Sequence, residues 1–384
     1  MRMQNLPTLL ALLASSTAFA GFSHHDDHDL ARDVFAFRPH GGGHLAARVL
    51  QCGDTVTASM ALAADLVCPT TTGFALNVIG DNIVLDGNGH KIVAPLASAG
   101  VFVQGSNDTI RELRINGIQG GDGILAYETP GIKITDNDVS SNGQGIALYA
   151  DTGAVTDVKI QNNLARNNAL FGIRTGFDAP GAIVSPQIRN NDLGGNGSFG
   201  MLIKATKFEL DGNHGNSFQG SRNGIYLAGG DAFLHDFSLA HDHIQQTGVF
   251  ADSLDNLMVN NVDVSSLVPA SASQERTGMH LYRVANFAIK GFDGSKNDLG
   301  LKLDTELGVS PAGTVTDSSF LDNVVSGILV ASYDGTPFGL LSFTRNCYRD
   351  ATRVLVAGGT LLASGSITDD GLNACGRDND HDRH

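Results

Sequence analysis

The sequence predicts an all-β protein folded as a single-stranded parallel β-helix of about 11 to 12 turns. Three observations predict this solenoid: a tetrad repeated about every 25 residues, a second alternating segment between tetrads, and a high glycine content. Glycine accounts for 47 of the 384 residues, or about 12%, compared with roughly 7% in ordinary proteins. Disorder and collagen are excluded, because 42% of the residues are hydrophobic and the glycines have no three-residue period.

The repeated tetrad is a glycine followed by an apolar residue, any residue, and then an apolar or small residue. Its eleven copies begin at Gly73, Gly100, Gly123, Gly145, Gly172, Gly200, Gly224, Gly248, Gly278, Gly300 and Gly327. The intervals range from 22 to 30 residues, which is the length of one solenoid turn. The L-x-x-L-x-L pattern of a leucine-rich horseshoe is absent.

A second alternating segment that ends in Asn or Asp lies between tetrads. It begins at Ile83, Ile132, Val158, Phe208, Leu257 and Phe343. Alternation bounded by Asn and Gly predicts a short strand followed by a tight turn with a left-handed residue. Four asparagines, Asn137, Asn163, Asn191 and Asn213, recur at 26, 28 and 22 residues and predict an internal ladder of stacked amides.

These repeats, with the opening turn Asp86-Gly-Asn-Gly-His90, resemble the right-handed parallel β-helix proteins of the pectin-lyase-like superfamily. The resemblance covers roughly residues 50–365 and implies a right-handed solenoid. That superfamily holds lyases, epimerases, hydrolases, phage tailspikes, adhesins and periplasmic accessory proteins. The resemblance therefore implies the fold and leaves the activity open.

The chain divides into four predicted segments. Residues 1–20 combine Arg2, an apolar run and the end Ala18-Phe19-Ala20, the pattern of a signal peptide cleaved after Ala20. Residues 21–49 are predicted as a His/Asp-rich tail and N-terminal cap, 50–365 as the β-helix, and 366–384 as a C-terminal cap and Asp/His-rich tail. We therefore expect a secreted or periplasmic protein.

Four cysteines lie near the two ends of the predicted solenoid. In an exported chain we expect two local disulfides, Cys52–Cys68 and Cys347–Cys375, although four cysteines permit three connectivities. A zinc site is disfavoured because no pair has C-x-x-C spacing.

The chain is acidic, with a net charge of −15. Removal of residues 1–20, whose only charged side chain is Arg2, makes the net charge −16. It has no basic run, which argues against nucleic acid and anionic membrane surfaces as partners. No apolar stretch after residue 20 is long enough to span a bilayer, and we expect a monomer.

Alternation along each tetrad strand points positions one and three after the glycine inward and positions two and four outward. The outward columns contain several reactive side chains in consecutive turns. The predicted catalytic residues are Asp252, His280, Tyr282, Lys302 and Asp304, and the predicted substrate-binding residues are Tyr127, Tyr149, Arg174, Lys204, Tyr226 and Phe250.

Three chemistries on an extended polysaccharide fit this patch. Asp252 and Asp304, two turns or about 9.6 Å apart, fit the carboxyl separation of an inverting hydrolase. Lys302 or Arg174 would neutralise a uronate carboxylate for β-elimination or C5 epimerisation, while Tyr282 or His280 exchanges the proton. No cofactor is otherwise predicted, but an acidic chain binds a polyanion only through a locally basic groove or a bridging divalent cation such as Ca²⁺.

A different class of function is a non-enzymatic periplasmic or surface protein, either adhesin-like or a metal-accessory β-helix. Exposed strands of any solenoid carry charged and aromatic residues for solubility. The tails His24-His-Asp-Asp-His28 and Asp378-Asn-Asp-His-Asp-Arg-His384 place imidazoles and carboxylates at spacings that collect Zn, Cu or Ni, or form a solvated tail.

Overall fold

The computed structural model describes residues 45–176, 182–211, 215–240, 242–269, 271, 273–306, 309–332, 336–349, 354–357, 367–369 and 375. All of them belong to the unit Gly41–His384. The predicted signal peptide, the N-terminal cap and both His/Asp tails lie outside these residues, apart from 45–49.

The described residues form strands and no helix. In chain order the strands are β1 (Ala47–Arg48), β2 (Asp54–Val56), β3 (Met60–Leu62), β4 (Leu66–Val67), β5 (Phe74–Ile79), β6 (Val84–Asp86), β7 (Lys91–Val93), β8 (Ala99–Gln104), β9 (Thr109–Arg111), β10 (Arg114–Ile115), β11 (Asp122–Tyr127), β12 (Lys133–Thr135), β13 (Gln144–Tyr149), β14 (Ala154–Val155), β15 (Lys159–Gln161), β16 (Phe171–Thr175), β17 (Ala182–Ile183), β18 (Gln187–Arg189), β19 (Phe199–Asp211), β20 (Asn223–Ser238), β21 (Thr247–Asp263), β22 (Thr277–Tyr282), β23 (Asn286–Asp293), β24 (Leu299–Thr305), β25 (Ala312–Thr316), β26 (Ser319–Phe320), β27 (Ser326–Ser332), β28 (Leu341–Thr344), β29 (Cys347–Tyr348), β30 (Val354–Ala357) and β31 (Ile367–Asp369).

The strands stack in parallel into sheets, as the repeat predicts. The first sheet runs β2-β5-β8-β11-β13-β16-β19-β20-β21-β22-β24-β27-β30. The second runs β1-β3-β6-β9-β12-β15-β18, and in later turns the C-terminal halves of β19, β20 and β21 pair onward through β23, β25, β28 and β31. A short third sheet, β4-β7-β10, continues as single bridges from Arg114 to Ser217.

All eleven predicted tetrads lie on the first sheet, and ten are in register. The position-one side chains, such as Ile124 and Ile146, are fully buried and stack on one another. The first copy is out of frame by two residues, because Leu76 pairs with Val101 and so sets Ala75, not Gly73, opposite Gly100. The tetrad glycine is needed for close approach: a Cβ at Gly145 would lie 2.5 Å from the carbonyl oxygen of Gly172 in the next turn.

The asparagine ladder is present, with one member different from the prediction. Side-chain amides of Asn137, Asn163 and Asn191 each donate to the next carbonyl oxygen at 3.0 or 3.1 Å, and the fourth member is Asn216. The predicted fourth member, Asn213, lies outside the described residues. The predicted left-handed turn residues also occur, among them Asn88 with φ 49° and Asn162 with φ 56°.

A second polar ladder, which the sequence reasoning missed, follows the next turn. Asn142 accepts a hydrogen bond from the Ile118 backbone and donates its own backbone N–H to Asn168, which does the same with Asn196. These amides are buried, so each turn's backbone is hydrogen-bonded without water.

Both predicted disulfides are present. Cys52 is bonded to Cys68 and Cys347 to Cys375. Each joins residues within about one turn of the solenoid, which restricts the unfolded chain near both ends of the described strands.

Candidate active site

The two outward columns of the first sheet form a continuous surface, which we call the outer ladder. Its position-two members pair from strand to strand in the order Leu125, Ala147, Arg174, Leu202, Tyr226, Phe250, His280, Lys302 and Leu329. At position four, Ala228, Asp252, Tyr282, Asp304 and Ala331 pair in the same way. The register therefore brings the five predicted catalytic residues together on β21, β22 and β24.

A carboxylate shared by two cationic or basic groups lies at the centre of this patch. Nε2 of His280 is 2.6 Å from Oδ2 of Asp304, and Nζ of Lys302 is 3.1 Å from the same oxygen. The Asp304 side chain is only 3% exposed, whereas those of His280 and Lys302 are 15% and 17% exposed. An ionised Asp304 accepts a hydrogen bond from Nε2–H, which leaves the lone pair of a neutral His280 on Nδ1. His280 is thus a partly exposed imidazole oriented by a buried carboxylate.

Asp252 is the centre of a separate hydrogen-bond network. Its Oδ1 accepts from Nη2 of Arg283 at 2.7 Å and from Oγ of Ser253 at 2.7 Å, and its Oδ2 accepts from the hydroxyl of Tyr226 at 2.5 Å. The Asp252 side chain is 14% exposed, and these three donors engage both of its carboxylate oxygens. This carboxylate holds Tyr226 and Arg283 in place across three turns.

Tyr282 is hydrogen-bonded to a carboxylate one turn further along the solenoid. Its hydroxyl donates to Oε2 of Glu306, which follows β24. The guanidinium carbon of Arg283 lies 4.5 Å from the centre of the Tyr282 ring. The Glu306 hydrogen bond raises the pKa of Tyr282, burial and the Glu306 charge act in the same direction, and Arg283 opposes them.

The aromatic members of the outer ladder pack on each other. Tyr226 and Phe250 stack at 5.2 Å with an interplanar angle of 11°, and Phe199 meets Tyr226 edge-on at 5.4 Å. Phe250 in turn contacts the His280 ring at 4.6 Å in an edge arrangement. These rings therefore form one continuous aromatic contact across β19, β20, β21 and β22.

The remaining predicted binding residues lie nearer the N-terminus on the same sheet. Tyr127 donates to Oδ2 of Asp151 at 2.8 Å. Arg174 is buried, with 9% of its surface exposed, and its guanidinium carbon lies 5.8 Å from the centre of the Tyr149 ring. Lys204 is half-buried and pairs in register with Ala228. These residues are four to seven strands from Lys302, so they do not join the catalytic patch.

Asp122, a buried acid beside Arg174, is not among the site residues predicted from the sequence. Asp122 opens β11 and accepts from Nε2 of Gln144 at 2.9 Å, while Oε1 of Gln144 accepts from Arg174 at 3.4 Å. Burial raises the pKa of Asp122 to about 7, against the opposing effects of the Arg174 charge and the Gln144 hydrogen bond. Its position directly before a tetrad glycine, shared with Gln144, was the available signal.

Arg283 and Glu306 were also missed. Both follow the last position of their strands, where the alternation rule no longer says which way a side chain points. Arg283 has a left-handed backbone, with φ 56°. The only signal in the sequence was closeness to an outward reactive residue: Arg283 directly follows Tyr282, and Glu306 follows Asp304 by two residues.

Within the described residues, no three His, Cys, Asp or Glu side chains are grouped as metal ligands. In the same part of the chain, no helix is long and apolar enough to cross a membrane. The His/Asp tails, for which metal binding was considered, lie outside the described ranges.

Comparison with known proteins identifies the architecture. Residues 76–235 match the family described as right handed beta helix region, and no curated protein matches the chain. The A-module of the Azotobacter vinelandii mannuronan C-5 epimerase AlgE4 is 15% identical, with a TM-score of 0.53 over 83% of this chain and 91% of that chain.

Two further solved structures are similar at lower scores. The A-module of the A. vinelandii mannuronan C-5 epimerase AlgE6 is 17% identical, with a TM-score of 0.43 over 85% of this chain and 89% of that chain. The catalytic domain of a GH87 α-1,3-glucanase is 14% identical, with a TM-score of 0.40 over 85% of this chain and 64% of that chain. At such identities the likeness concerns the fold. The parallel stacked sheets of the described residues, with the family match over residues 76–235, show the right-handed parallel β-helix fold.

Proposed function

We propose that this chain is an exported β-helix protein that binds an extended polysaccharide along the outer ladder and modifies it by proton transfer at His280 and Tyr282. The observation that carries the proposal is the pairing of His280 with buried Asp304 on a partly exposed strand face. An imidazole oriented by a carboxylate is the arrangement of a general base. The similarity of the fold to polysaccharide-acting enzymes supports the class of substrate.

Proton exchange next to a uronate carboxylate fits these residues better than hydrolysis does. A hydrolase needs one carboxyl group free to donate a proton and another free to activate water or attack. Asp252 accepts three hydrogen bonds, and Asp304 is buried beneath His280 and Lys302. His280 and Tyr282, in contrast, lie on one strand with ring centres 6.4 Å apart, and can face one sugar ring.

The charge of the patch sets a condition on the substrate. Asp252, Asp304 and Glu306 outnumber Lys302 and Arg283, so a uronate carboxylate gains a cation only if Lys302 turns from Asp304 towards it or a divalent ion bridges. We therefore expect Ca²⁺ to strengthen binding of an acidic polysaccharide. Added monovalent salt should weaken the Ca²⁺-bridged complex, because it screens the attraction between the ion and the carboxylates.

The test is a screen of the purified protein on acidic and neutral polysaccharides, with and without Ca²⁺. Products are followed by ultraviolet absorbance for new double bonds, by reducing ends for hydrolysis, and by NMR in D₂O for exchange of the C5 proton. We expect double bonds or C5 exchange, abolished in the double variant Asp304→Asn, Lys302→Ala. Full activity in that variant would exclude the site, and binding without turnover on every glycan would favour the non-enzymatic, adhesin-like alternative.

A further inference from the structure

The carboxylate of Glu306, which is hydrogen-bonded to Tyr282, has no role in the proton transfer proposed for His280 and Tyr282. Glu306 lies one turn beyond Tyr282, is half-buried, and accepts a hydrogen bond from the Tyr282 hydroxyl. In the ladder Tyr282 pairs with Asp304, yet its hydroxyl turns to Glu306 and not to that carboxylate. Oδ2 of Asp304 contacts His280 and Lys302, so the patch holds two separate hydrogen-bonded pairs, His280–Asp304 and Tyr282–Glu306.

We propose that Glu306 is a positioning residue that receives the Tyr282 hydroxyl proton when Tyr282 acts as a base on the bound sugar. This inference rests on the proposed function and names the group through which Tyr282 works. A phenol alone is a poor base at neutral pH, since it must first lose its own proton. A carboxylate already hydrogen-bonded to that proton removes the need for a free phenolate.

The step balances without any further reactant. The sugar C5–H bond breaks and its proton binds Oη of Tyr282, while the Oη–H bond breaks and that proton binds Oε2 of Glu306. The electron pair stays on the sugar as an enolate, whose charge Lys302 can stabilise. His280 enters the step as an imidazolium whose charge Asp304 stabilises. It then gives its Nδ1 proton either to C5 for epimerisation or to the leaving oxygen for elimination, and is left neutral.

The charged groups facing Tyr282 in the described structure come from four places. Arg283 lies over its ring, Asp252 faces it from β21, His280 lies on the same strand, and Asp304 and Glu306 lie on and just after β24. Among these groups, Glu306 accepts the hydrogen bond from the Tyr282 hydroxyl. Replacing Glu306 should therefore change the pKa of Tyr282 more than replacing any other of these charged groups.

A measurement without substrate tests the coupling. The Tyr282 phenol is titrated by NMR of ¹³Cζ-labelled tyrosine, with Tyr282→Phe used to assign its signal among the 6 tyrosines. In Glu306→Gln the neutral amide still accepts the hydrogen bond, but the charge is gone, so the Tyr282 pKa should fall. Glu209→Gln, the same change beside His235 on the second sheet, should leave it unmoved. An unchanged Tyr282 titration in Glu306→Gln would overturn the proposal.

The relay itself is tested on the polysaccharide that the wild-type protein modifies. We expect Glu306→Gln to lower kcat about 100-fold with KM within about twofold, Glu306→Asp to recover part of the rate, and Glu209→Gln to behave as wild type. Because the pair acts as a unit, adding Tyr282→Phe should cost little more. Wild-type rates in Glu306→Gln would overturn the relay and leave the proposed function standing. A wild-type protein inactive on all glycans would overturn both, even with a shifted titration, and Glu306 would then be a structural partner.

Discussion

His280 and Asp304 lie 2.6 Å apart on neighbouring turns, although 24 residues separate them in the chain. Each occupies an ordinary outward position of its own tetrad, position two for His280 and position four for Asp304. The parallel register converts the 22-residue interval between two glycines into a diagonal contact, since position two of β22 lies beside position four of β24. A reactive pair is thus formed by stacking alone, with no specialised loop.

Replacing His280 by Gln should abolish most of the activity while leaving the fold intact. Loss of a general acid or base costs about 100- to 10,000-fold in rate. His235 provides a matched control, because it too lies between carboxylates, Glu209 at 3.2 Å and Asp236 at 3.0 Å, but on the second sheet. Rates measured on the modified polysaccharide should fall in His280→Gln and stay at the wild-type level in His235→Gln. Equal rates in both variants would contradict the assignment.

The stacked columns could be predicted from the sequence because strand alternation is local and the tetrad fixes the frame of each turn. Position two and position four therefore pointed outward where the repeat placed them. The pairing of Tyr282 with Glu306, and of Arg283 with Asp252, could not be predicted, since these groups follow the ends of strands. There the backbone leaves the alternating geometry, and the path of the turn decides the direction of the side chain.

The buried acid was missed for a different physical reason. Polarity patterns predict that Asp122, beside three glycines, lies in an exposed turn. It is buried next to Gln144 and Arg174 from the two following turns, and such contacts between turns are not visible in a local polarity pattern. The fourth member of the asparagine ladder is Asn216 rather than the predicted Asn213. Turn lengths vary between copies of the repeat, while the side-chain amide must stay in register with Asn191.

Asp252→Asn should destabilise the solenoid more than it slows the reaction. The amide keeps one acceptor oxygen but leaves the Arg283 charge without its partner, at a cost of about 1–3 kcal/mol. Asp298→Asn is the matched control for stability, since Asp298 forms a similar pair with Arg276 at 2.7 Å. Both variants should lower the thermal unfolding midpoint by similar amounts. A kcat loss of 100-fold or more in Asp252→Asn alone would instead support the hydrolytic pair with Asp304.

Asn163→Ala should break the internal ladder. Its buried side chain donates to Asn191 and to the Ile134 carbonyl, and accepts from the backbone and side chain of Asn137. Removing it leaves several buried partners unpaired, each costing about 1–3 kcal/mol. Asn256, which bridges exposed turns of the second sheet, is the control, and Asn256→Ala should cost under about 1 kcal/mol. The urea midpoints of unfolding of the two variants are compared with that of the wild type. Equal shifts would show that the buried ladder stabilises the fold no more than an exposed hydrogen bond does.

Asp122→Asn should make the protein more stable at neutral pH than at acidic pH, relative to wild type. Burial raises the pKa of Asp122 from 3.8 to about 7, so the folded protein holds a proton that the unfolded chain releases. Stability from this group is therefore complete below about pH 4 and is lost as pH rises to about 7, on the order of 4 kcal/mol in all. Asn keeps the acceptor for Gln144 but cannot ionise, which removes the loss.

The measurement is the thermal unfolding midpoint of wild type and variant at acidic and neutral pH. The variant should gain at neutral pH and show little difference at acidic pH, whereas Asp231→Asn, an exposed carboxylate on the second sheet, should show no such pattern. A variant less stable than wild type at neutral pH would mean that the charge of Asp122 is needed by Arg174, and that the pair with this cation outweighs burial.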